Sequence, residues 1–394
     1  MNDPSESALP NQDREARLAH LDIAKGIAIM AIVAIHNPLL MQHGGKLFNA
    51  LLSFSLPLFF ICSGMLARTG KSIGASALAR THALMTPYIA TTVAIALVDR
   101  ILSGRSTIAI ISGGLYGTGA TVTWVTLWFL PHLWLVSIAT LLIGRCVEQQ
   151  RTCRLALTLL AMLSWGVGSV ALHTMNASFP QLASRGLPFS VDLLPLSLGY
   201  ALIGLAFRAL LLRPRYSGVV FFISAPIFLL LQFGPDAAMD LNLRRYDSGL
   251  YSTLSALTGA CAVFSLAAGM GNVRCVAPLL ARIGRASLGI CIFHFPVQRA
   301  LLDKLPLILQ GGAGPILIST LALLVSQSIW WLLTRSSTGR VLFAVSRCSF
   351  ESRGTSWLSM VRRVCSGLRR RICAQPTCCP RPDAGKSQPS AGSQ

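Results

Sequence analysis

The first apolar run of the sequence carries three ionisable side chains that could do chemistry. In LDIAKGIAIMAIVAIH, residues 21–36, Asp22 and Lys25 lie near the start and His36 lies at the end. On an α-helix, Lys25 and His36 are about 20° apart around the axis and about 16 Å apart along it, so they share one face. A neutral imidazole can take a proton from a hydroxyl group, and an ammonium can bind an anion. The run therefore places a base and a cation on one helix face.

Each of these residues also has an interpretation without chemistry. Asp22 could cap the helix or pair with Lys25, and Lys25 could extend to the lipid headgroups. His36 could pack as a neutral side chain between helices. Its depth in the apolar run favours a function, because ionisable residues inside a membrane are costly. Asn37 and Pro38 follow directly, and proline disfavours helical geometry at the residue before it, so we expect the helix to kink or end at His36.

His294 and His132 also occur in apolar segments. In RASLGICIFHFPV, residues 285–297, Ser287 and His294 are seven residues apart and share a helix face, so we expect His294 to point inward. A hydrogen-bonded core pair is the alternative. In LWFLPHLW, residues 127–134, we interpret His132 as a polar residue at the membrane interface, because aromatic residues are enriched there.

Membrane helices must position these residues. The 394 residues are 53% hydrophobic and 12% charged, with a mean hydropathy of +0.60, which is too apolar for a water-soluble protein of this size. Windows of about 20 apolar residues predict an all-α, polytopic integral membrane protein with about ten transmembrane helices. These windows are residues 21–41, 47–67, 84–103, 124–144, 155–174, 190–212, 217–233, 250–270, 280–302 and 314–334.

The distribution of basic residues predicts that both termini are cytoplasmic. With the N-terminus inside, inner connections hold more Lys and Arg than outer ones, and 11 of the 34 lie beyond residue 334. We therefore expect a cytoplasmic segment over 1–20, a transmembrane domain over 21–334 and a basic, disordered tail over 335–394. This topology accounts for the formal charge of +20, so no nucleic-acid partner is expected. Nor does the spacing of Cys and His indicate a metal site.

Four motifs in this order resemble those of the acyltransferase 3 family, bacterial integral-membrane O-acyltransferases, and of its fucose 4-O-acetylase-like branch in particular. They are LDIAKG with a basic residue eleven before a histidine, PLFFICSG, WFLPHL and SLGICIFH, and the resemblance covers residues 20–334. It implies that Lys25 is the family's first-helix basic residue, His36 its essential histidine and His294 its late histidine. Where the family often has tyrosine, this chain has Cys291, so a phenolic role there is absent.

The resemblance also implies a reaction and a location. The expected activity is transfer of an acyl group, acetyl in the first instance, from acyl-CoA to a hydroxyl of a surface-glycan sugar or lipid-linked intermediate. Acyl-CoA is then a co-substrate rather than a bound cofactor, and the protein lies in the lipid of the bacterial inner (plasma) membrane. We assign His36 as general base, with Lys25 and Asp22 as further catalytic residues. The expected substrate-binding residues are Arg80, Ser287 and His294.

Two other classes of protein remain open. A secondary transporter or flippase for a glycan or small solute would use Asp22, Lys25 and His36 as a proton relay, and no acyl group would move. A structural membrane subunit is the third class. The two halves of the sequence lack a matching pair of helices broken by Gly or Pro, which counts against an inverted-repeat transporter.

Overall fold

The computed structural model describes residues 11–67, 69, 72–147, 153–211, 217–234, 239–246, 248–271, 273, 275–304 and 314–343. Within these ranges the chain is helical, without an extended strand. The helices are α1 (Asn11–Ile35), α2 (Pro38–His43), α3 (Gly45–Met65), α4 (Ile73–Ser103), α5 (Thr107–Tyr116), α6 (Phe129–Val147), α7 (Cys153–Ser178), α8 (Pro180–Arg185), α9 (Leu194–Ala206), α10 (Arg208–Leu211), α11 (Ser217–Leu231), α12 (Gly249–Met270), α13 (Val276–Arg285), α14 (Ser287–Lys304), α15 (Gly314–Arg335) and α16 (Ser337–Leu342). Two 3₁₀ turns, Val125–Trp128 and Pro188–Leu193, precede α6 and α9.

All ten predicted apolar windows fall on helices. Seven helices in the described part of the chain are long and apolar enough to cross a membrane, namely α3, α4, α6, α7, α9, α12 and α15, with α6 and α9 counted together with their 3₁₀ turns. α13 and α14 pass the same test as a pair bent by 79°, which gives up to eight. The other two windows fall on α1, which is outside this count, and on α11, which is shorter. The all-α polytopic architecture is thus confirmed, whereas the number ten and the cytoplasmic termini stay predictions.

α1 ends where the sequence predicts a break. Pro38 opens α2, and the Asn37 side chain caps this short helix by accepting a hydrogen bond of 3.0 Å from the Leu39 N–H. The Asn37 N–H bonds to the Ala34 carbonyl at 3.0 Å, three residues back, as in a tightened last turn. The carbonyl of Val33, four residues back, is therefore open to a side chain from another helix.

α1 lies at the centre of the helix packing. It contacts α3, α12, α13, α14 and α15, and its side chains from Leu21 to Val33 form much of the main core. Its approach to α13 depends on two glycines, because a Cβ on Gly26 or Gly284 would overlap the backbone of the other helix. This contact brings the end of α13 beside Asp22.

The helical unit extends past both predicted boundaries of the transmembrane domain. α1 begins at Asn11, and α16 follows α15 beyond residue 334. Phe343, only 8% exposed, lies with its ring 5.4 Å from that of Trp330 and 6.2 Å from that of Phe293. The first part of the predicted tail is therefore packed against the core. The rest of that tail, from residue 344 on, and residues 1–10 lie outside the described residues.

Candidate active site

An ion-pair cluster lies at the beginning of the core part of α1. Lys25 Nζ is 2.7 Å from one carboxylate oxygen of Asp22, and Arg285 Nη1 is 3.7 Å from the other. The Lys25 side chain is 20% exposed and that of Asp22 is 17% exposed. Lys25 is therefore held among helices, which disfavours its interpretation as a mere headgroup anchor.

Arg80 belongs to the same end of the helical unit. α1 and α3 are neighbours joined by the short α2, so they run antiparallel, and the end of α3 lies level with the part of α1 that holds Asp22 and Lys25. Arg80 Nη2 donates to the Leu66 carbonyl at 2.9 Å, directly after α3. Arg208 Nη1 donates to the Ala67 carbonyl at 3.4 Å. These two cations therefore lie at the end of the molecule that carries Lys25, as expected for a site that binds an anion.

Two histidines meet at the other end of α1. The imidazole centroids of His36 and His294 are 5.0 Å apart, with ring planes at 74°. Each Nδ1 donates to the carbonyl four residues earlier in its own helix, at 2.8 Å to Ile32 and 2.7 Å to Ile290. In this tautomer, assigned from the hydrogen bonds, Nε2 of each neutral ring carries a lone pair. His36 is half-buried, so its Nε2 is available as a base.

Gln298, one turn after His294, is a candidate site residue that was not predicted from the sequence. Its amide Nε2 donates to the Val33 carbonyl of α1 at 3.1 Å. Its Oε1, like Nε2 of His294, is buried and has no hydrogen-bond partner among the described residues. The sequence does contain a signal for this residue: Gln298 is an amide in the otherwise apolar stretch FHFPVQ, and it lies four residues after His294, on the same helix face.

Ser287 lies apart from the two histidines. It opens α14 directly after the bend, two residues from Arg285, which pairs with Asp22. Seven residues of helix, about 10 Å along the axis, separate it from His294. The structure thus pairs His294 with His36, whereas Ser287 lies at the other end of α14, next to the bend that follows Arg285.

His132, interpreted from the sequence as an interfacial polar residue, is packed inside the protein. It is 0% exposed. Its Nδ1 donates to the Phe189 carbonyl at 3.3 Å, and the Ser197 hydroxyl donates to Nε2 at 2.8 Å. The Trp128 ring lies 5.5 Å away, tilted by 35°. Both nitrogens are occupied, so His132 has no lone pair left for chemistry.

A buried ion pair lies close to His132. Arg244 Nε is 2.7 Å from Asp192 Oδ2, and its Nη2 is 3.4 Å from Oδ1, which makes the pair bidentate. The two side chains are 2% and 5% exposed. Arg244 Nη1 also donates to the Asn242 carbonyl at 3.0 Å, and the backbone at Arg244 has φ +59°. The pair fixes the loop 239–246 to the turn before α9.

No group of three or more His, Cys, Asp or Glu side chains in the described ranges is arranged to hold a metal ion. The polar groups described along α1 are thus a cation cluster around Asp22 and a pair of imidazoles where the helix ends.

Comparison with known proteins identifies the family of this arrangement. A family model for an acyltransferase domain, Acyl_transf_3, matches residues 18–335, which include most of α1, His36, His294 and the ion-pair cluster. No curated protein and no solved structure matches the chain. The family match covers far more than half of the sequence, and the helices it spans are those of a multi-pass membrane protein. The chain belongs to the acyltransferase 3 family of membrane acyltransferases.

Proposed function

We propose that this protein transfers an acetyl group from acetyl-CoA to a hydroxyl of a surface-glycan sugar or a lipid-linked sugar intermediate in the bacterial inner membrane. One observation carries the proposal: the half-buried imidazole of His36, with Nδ1 engaged and Nε2 unprotonated, lies on the helix that carries Lys25. Acyl transfer to an alcohol requires a base for the hydroxyl, and a CoA donor requires cations for its phosphates.

The ion-pair cluster is the proposed site for the phosphates of CoA. Asp22 holds Lys25 and Arg285 on its two oxygens, so it positions two cations rather than binding the donor itself. Arg80 adds a third cation at the same end of the molecule. From here the pantetheine arm would follow α1 over the roughly 16 Å that separate Lys25 from His36 and bring the thioester to the imidazole.

The reaction at His36 is a proton transfer coupled to attack on the thioester. Nε2 takes the proton from the acceptor hydroxyl as the new C–O bond forms, and the C–S bond then breaks. The imidazolium returns this proton to the departing thiolate, so the products are the ester and CoA thiol. His294 has no N–H on Nε2 in its tautomer, which favours a role in positioning the acceptor over donation to an oxyanion.

A proton relay for transport is disfavoured by the same geometry. Between Lys25 and His36, α1 consists of Gly, Ala, Ile, Met and Val, none of which can carry a proton. Asp22 is already occupied by two cations. These features support the acyltransferase over the transporter or flippase.

The test is transfer of label by the purified protein. Acetyl-CoA labelled in its acetyl group is incubated with the protein and with glycans extracted from the source membrane, and surface glycans with and without the gene are compared by mass. We expect label in the glycan and loss of an acetyl mass from at least one glycan without the gene. Unlabelled glycans together with unchanged masses would refute the proposal.

A further inference from the structure

Two buried hydrogen-bond acceptors beside His36 have no partner among the residues that the structure describes. His294 is 0% and Gln298 is 1% exposed, yet His294 Nε2 and Gln298 Oε1 form no hydrogen bond within the described residues. Leaving one buried acceptor unpaired destabilises a protein, and most buried polar atoms are paired. Here two unpaired acceptors lie one helical turn apart on α14, next to the proposed base.

The opposite ends of both side chains are fixed. His294 Nδ1 donates to the Ile290 carbonyl at 2.7 Å, which leaves Nε2 as an acceptor. Gln298 Nε2 donates at 3.1 Å to Val33, whose carbonyl is open because the Asn37 N–H bonds to Ala34 instead. These bonds set the imidazole tautomer and the direction of the amide, so both free atoms can only accept.

A ligand that fits two acceptors must bring two donors. The acyl group and thioester carbonyl have no O–H or N–H, whereas a sugar carries several hydroxyls that donate. Side chains four residues apart on a helix have Cβ atoms about 5–6 Å apart, within reach of two hydroxyls of one small polyol. The His36 ring, 5.0 Å from that of His294, lies beside the same place.

We propose that His294 Nε2 and Gln298 Oε1 form the acceptor-binding subsite, in which they accept hydrogen bonds from two sugar hydroxyls and direct a further hydroxyl to Nε2 of His36. This inference rests on the proposed function, because it takes the acceptor to be a sugar. It assigns a binding role to Gln298 and predicts that the acceptor must carry hydroxyls beyond the one that is acylated. Pantetheine, which has a hydroxyl and amide N–H groups, is the competing occupant.

Binding is measured first, because it does not require turnover. Thermal unfolding of the purified protein is followed with the methyl α-glycosides of glucose, galactose and mannose, and with their monodeoxy analogues. We expect at least one glycoside to raise the midpoint temperature of unfolding. Removal of one of its hydroxyls should weaken binding about tenfold. If none of the three raises the midpoint, or if every deoxy analogue binds equally well, the subsite is refuted without any variant.

Matched variants then locate the binding atoms. His294→Asn keeps a donor near the position of Nδ1 and removes the acceptor at Nε2, whereas His294→Gln keeps a polar atom near Nε2 and gives up the Nδ1 bond. We expect glycoside affinity to fall at least tenfold in His294→Asn and Gln298→Met, and to be better retained in His294→Gln. A purely structural role of His294 through Nδ1 predicts the reverse order, which would refute the proposal.

The control is Ser319→Ala. Ser319 Oγ is 3.5 Å from Gln298 Nε2 and 3.1 Å from Asn37 Nδ2, so its removal disturbs the surrounding network but leaves both free acceptors in place. We expect its glycoside affinity to stay within twofold of wild type. An equal loss in Ser319→Ala and Gln298→Met would attribute the effect to the network and overturn the subsite.

The affinity for acetyl-CoA separates the two proposals. Gln298→Met should bind acetyl-CoA as wild type does. If Gln298→Met loses acetyl-CoA affinity and keeps glycoside affinity, the donor occupies the site and the inference is wrong, while the acyltransferase proposal stands. If glycosides bind as expected but labelled acetyl is never transferred, the proposed function fails while the sugar subsite stands.

Discussion

Two buried histidines in this molecule differ in what their second nitrogen does. His132 and His294 are both 0% exposed, and both donate from Nδ1 to a backbone carbonyl. The Nε2 of His132 is occupied by the Ser197 hydroxyl, whereas that of His294, beside His36, has no partner in the described part of the chain. Burial and residue type are thus the same at both places. Hydrogen-bond occupancy separates a structural histidine from a candidate for chemistry.

The two acidic residues of these regions show the same contrast. The Asp192 carboxylate is held bidentately by Arg244 and both side chains are almost fully enclosed. Asp22 is shared between Lys25 and Arg285, and all three side chains keep some exposure, from 17% to 34%. The enclosed pair fixes a loop. The shared and more accessible cluster can exchange partners with an anionic ligand.

Disruption of the enclosed pair should have the largest effect on folding. Asp192→Asn leaves the Arg244 guanidinium buried and unpaired, so we expect a loss of about 3–5 kcal/mol in the free energy of unfolding. The measurement is the unfolding midpoint in detergent together with the folded yield. A midpoint equal to wild type would show that Arg244 is solvated in the membrane and does not need Asp192.

Mutation of the ion-pair cluster should instead weaken the binding of acetyl-CoA. Lys25→Ala removes a charge-assisted contact of about 1.5–3 kcal/mol, so the KM for acetyl-CoA should rise by about ten- to a hundredfold while kcat changes little. Lys25→Arg keeps the charge and should restore part of the affinity. A wild-type KM for acetyl-CoA in Lys25→Ala would show that the phosphates of CoA do not bind at Lys25.

His132 should behave as a structural residue. His132→Ala loses two hydrogen bonds and leaves the Ser197 hydroxyl unpaired, so we expect a loss of about 1–3 kcal/mol in unfolding free energy. Transfer per folded protein should stay within about twofold of wild type. A large fall in kcat without a change in stability would show that His132 takes part in the reaction and is not a structural residue.

The smallest effect is expected at the end of the chain. Residues after 350 lie outside the family match, which ends at residue 335. A protein cut after residue 350 should therefore keep its transfer rate and its unfolding midpoint. Loss of activity in a truncated protein that still inserts in the membrane would give the tail a role in the reaction.

Local features of this fold could be predicted from the sequence. Apolar windows located the helices because burial in lipid requires long apolar runs, and the proline at position 38 located the end of α1. The Asp22–Lys25 ion pair followed from a spacing of three on one helix. Each of these features is decided within a few turns of one segment.

Features that depend on contacts between distant segments could not be predicted. The pair of Arg244 and Asp192 joins residues 52 apart in sequence, and neither carries a local signal for the other. The 79° bend between α13 and α14 lies directly before Ser287, yet nothing in the periodicity of that segment reveals it. The role of Gln298 depends on a carbonyl that the break in α1 leaves open on another helix. Helix packing decides all three.

The measurement that most directly tests the central claim is the transfer rate per folded protein in His36→Ala, at saturating acetyl-CoA and with His132→Ala as the matched control. Loss of a general base typically lowers the rate about 10²- to 10⁴-fold. We expect this loss in His36→Ala with normal insertion and an unfolding midpoint near wild type, while His132→Ala keeps its turnover and loses stability. Near-wild-type turnover in His36→Ala would remove this histidine from the chemistry and contradict the account.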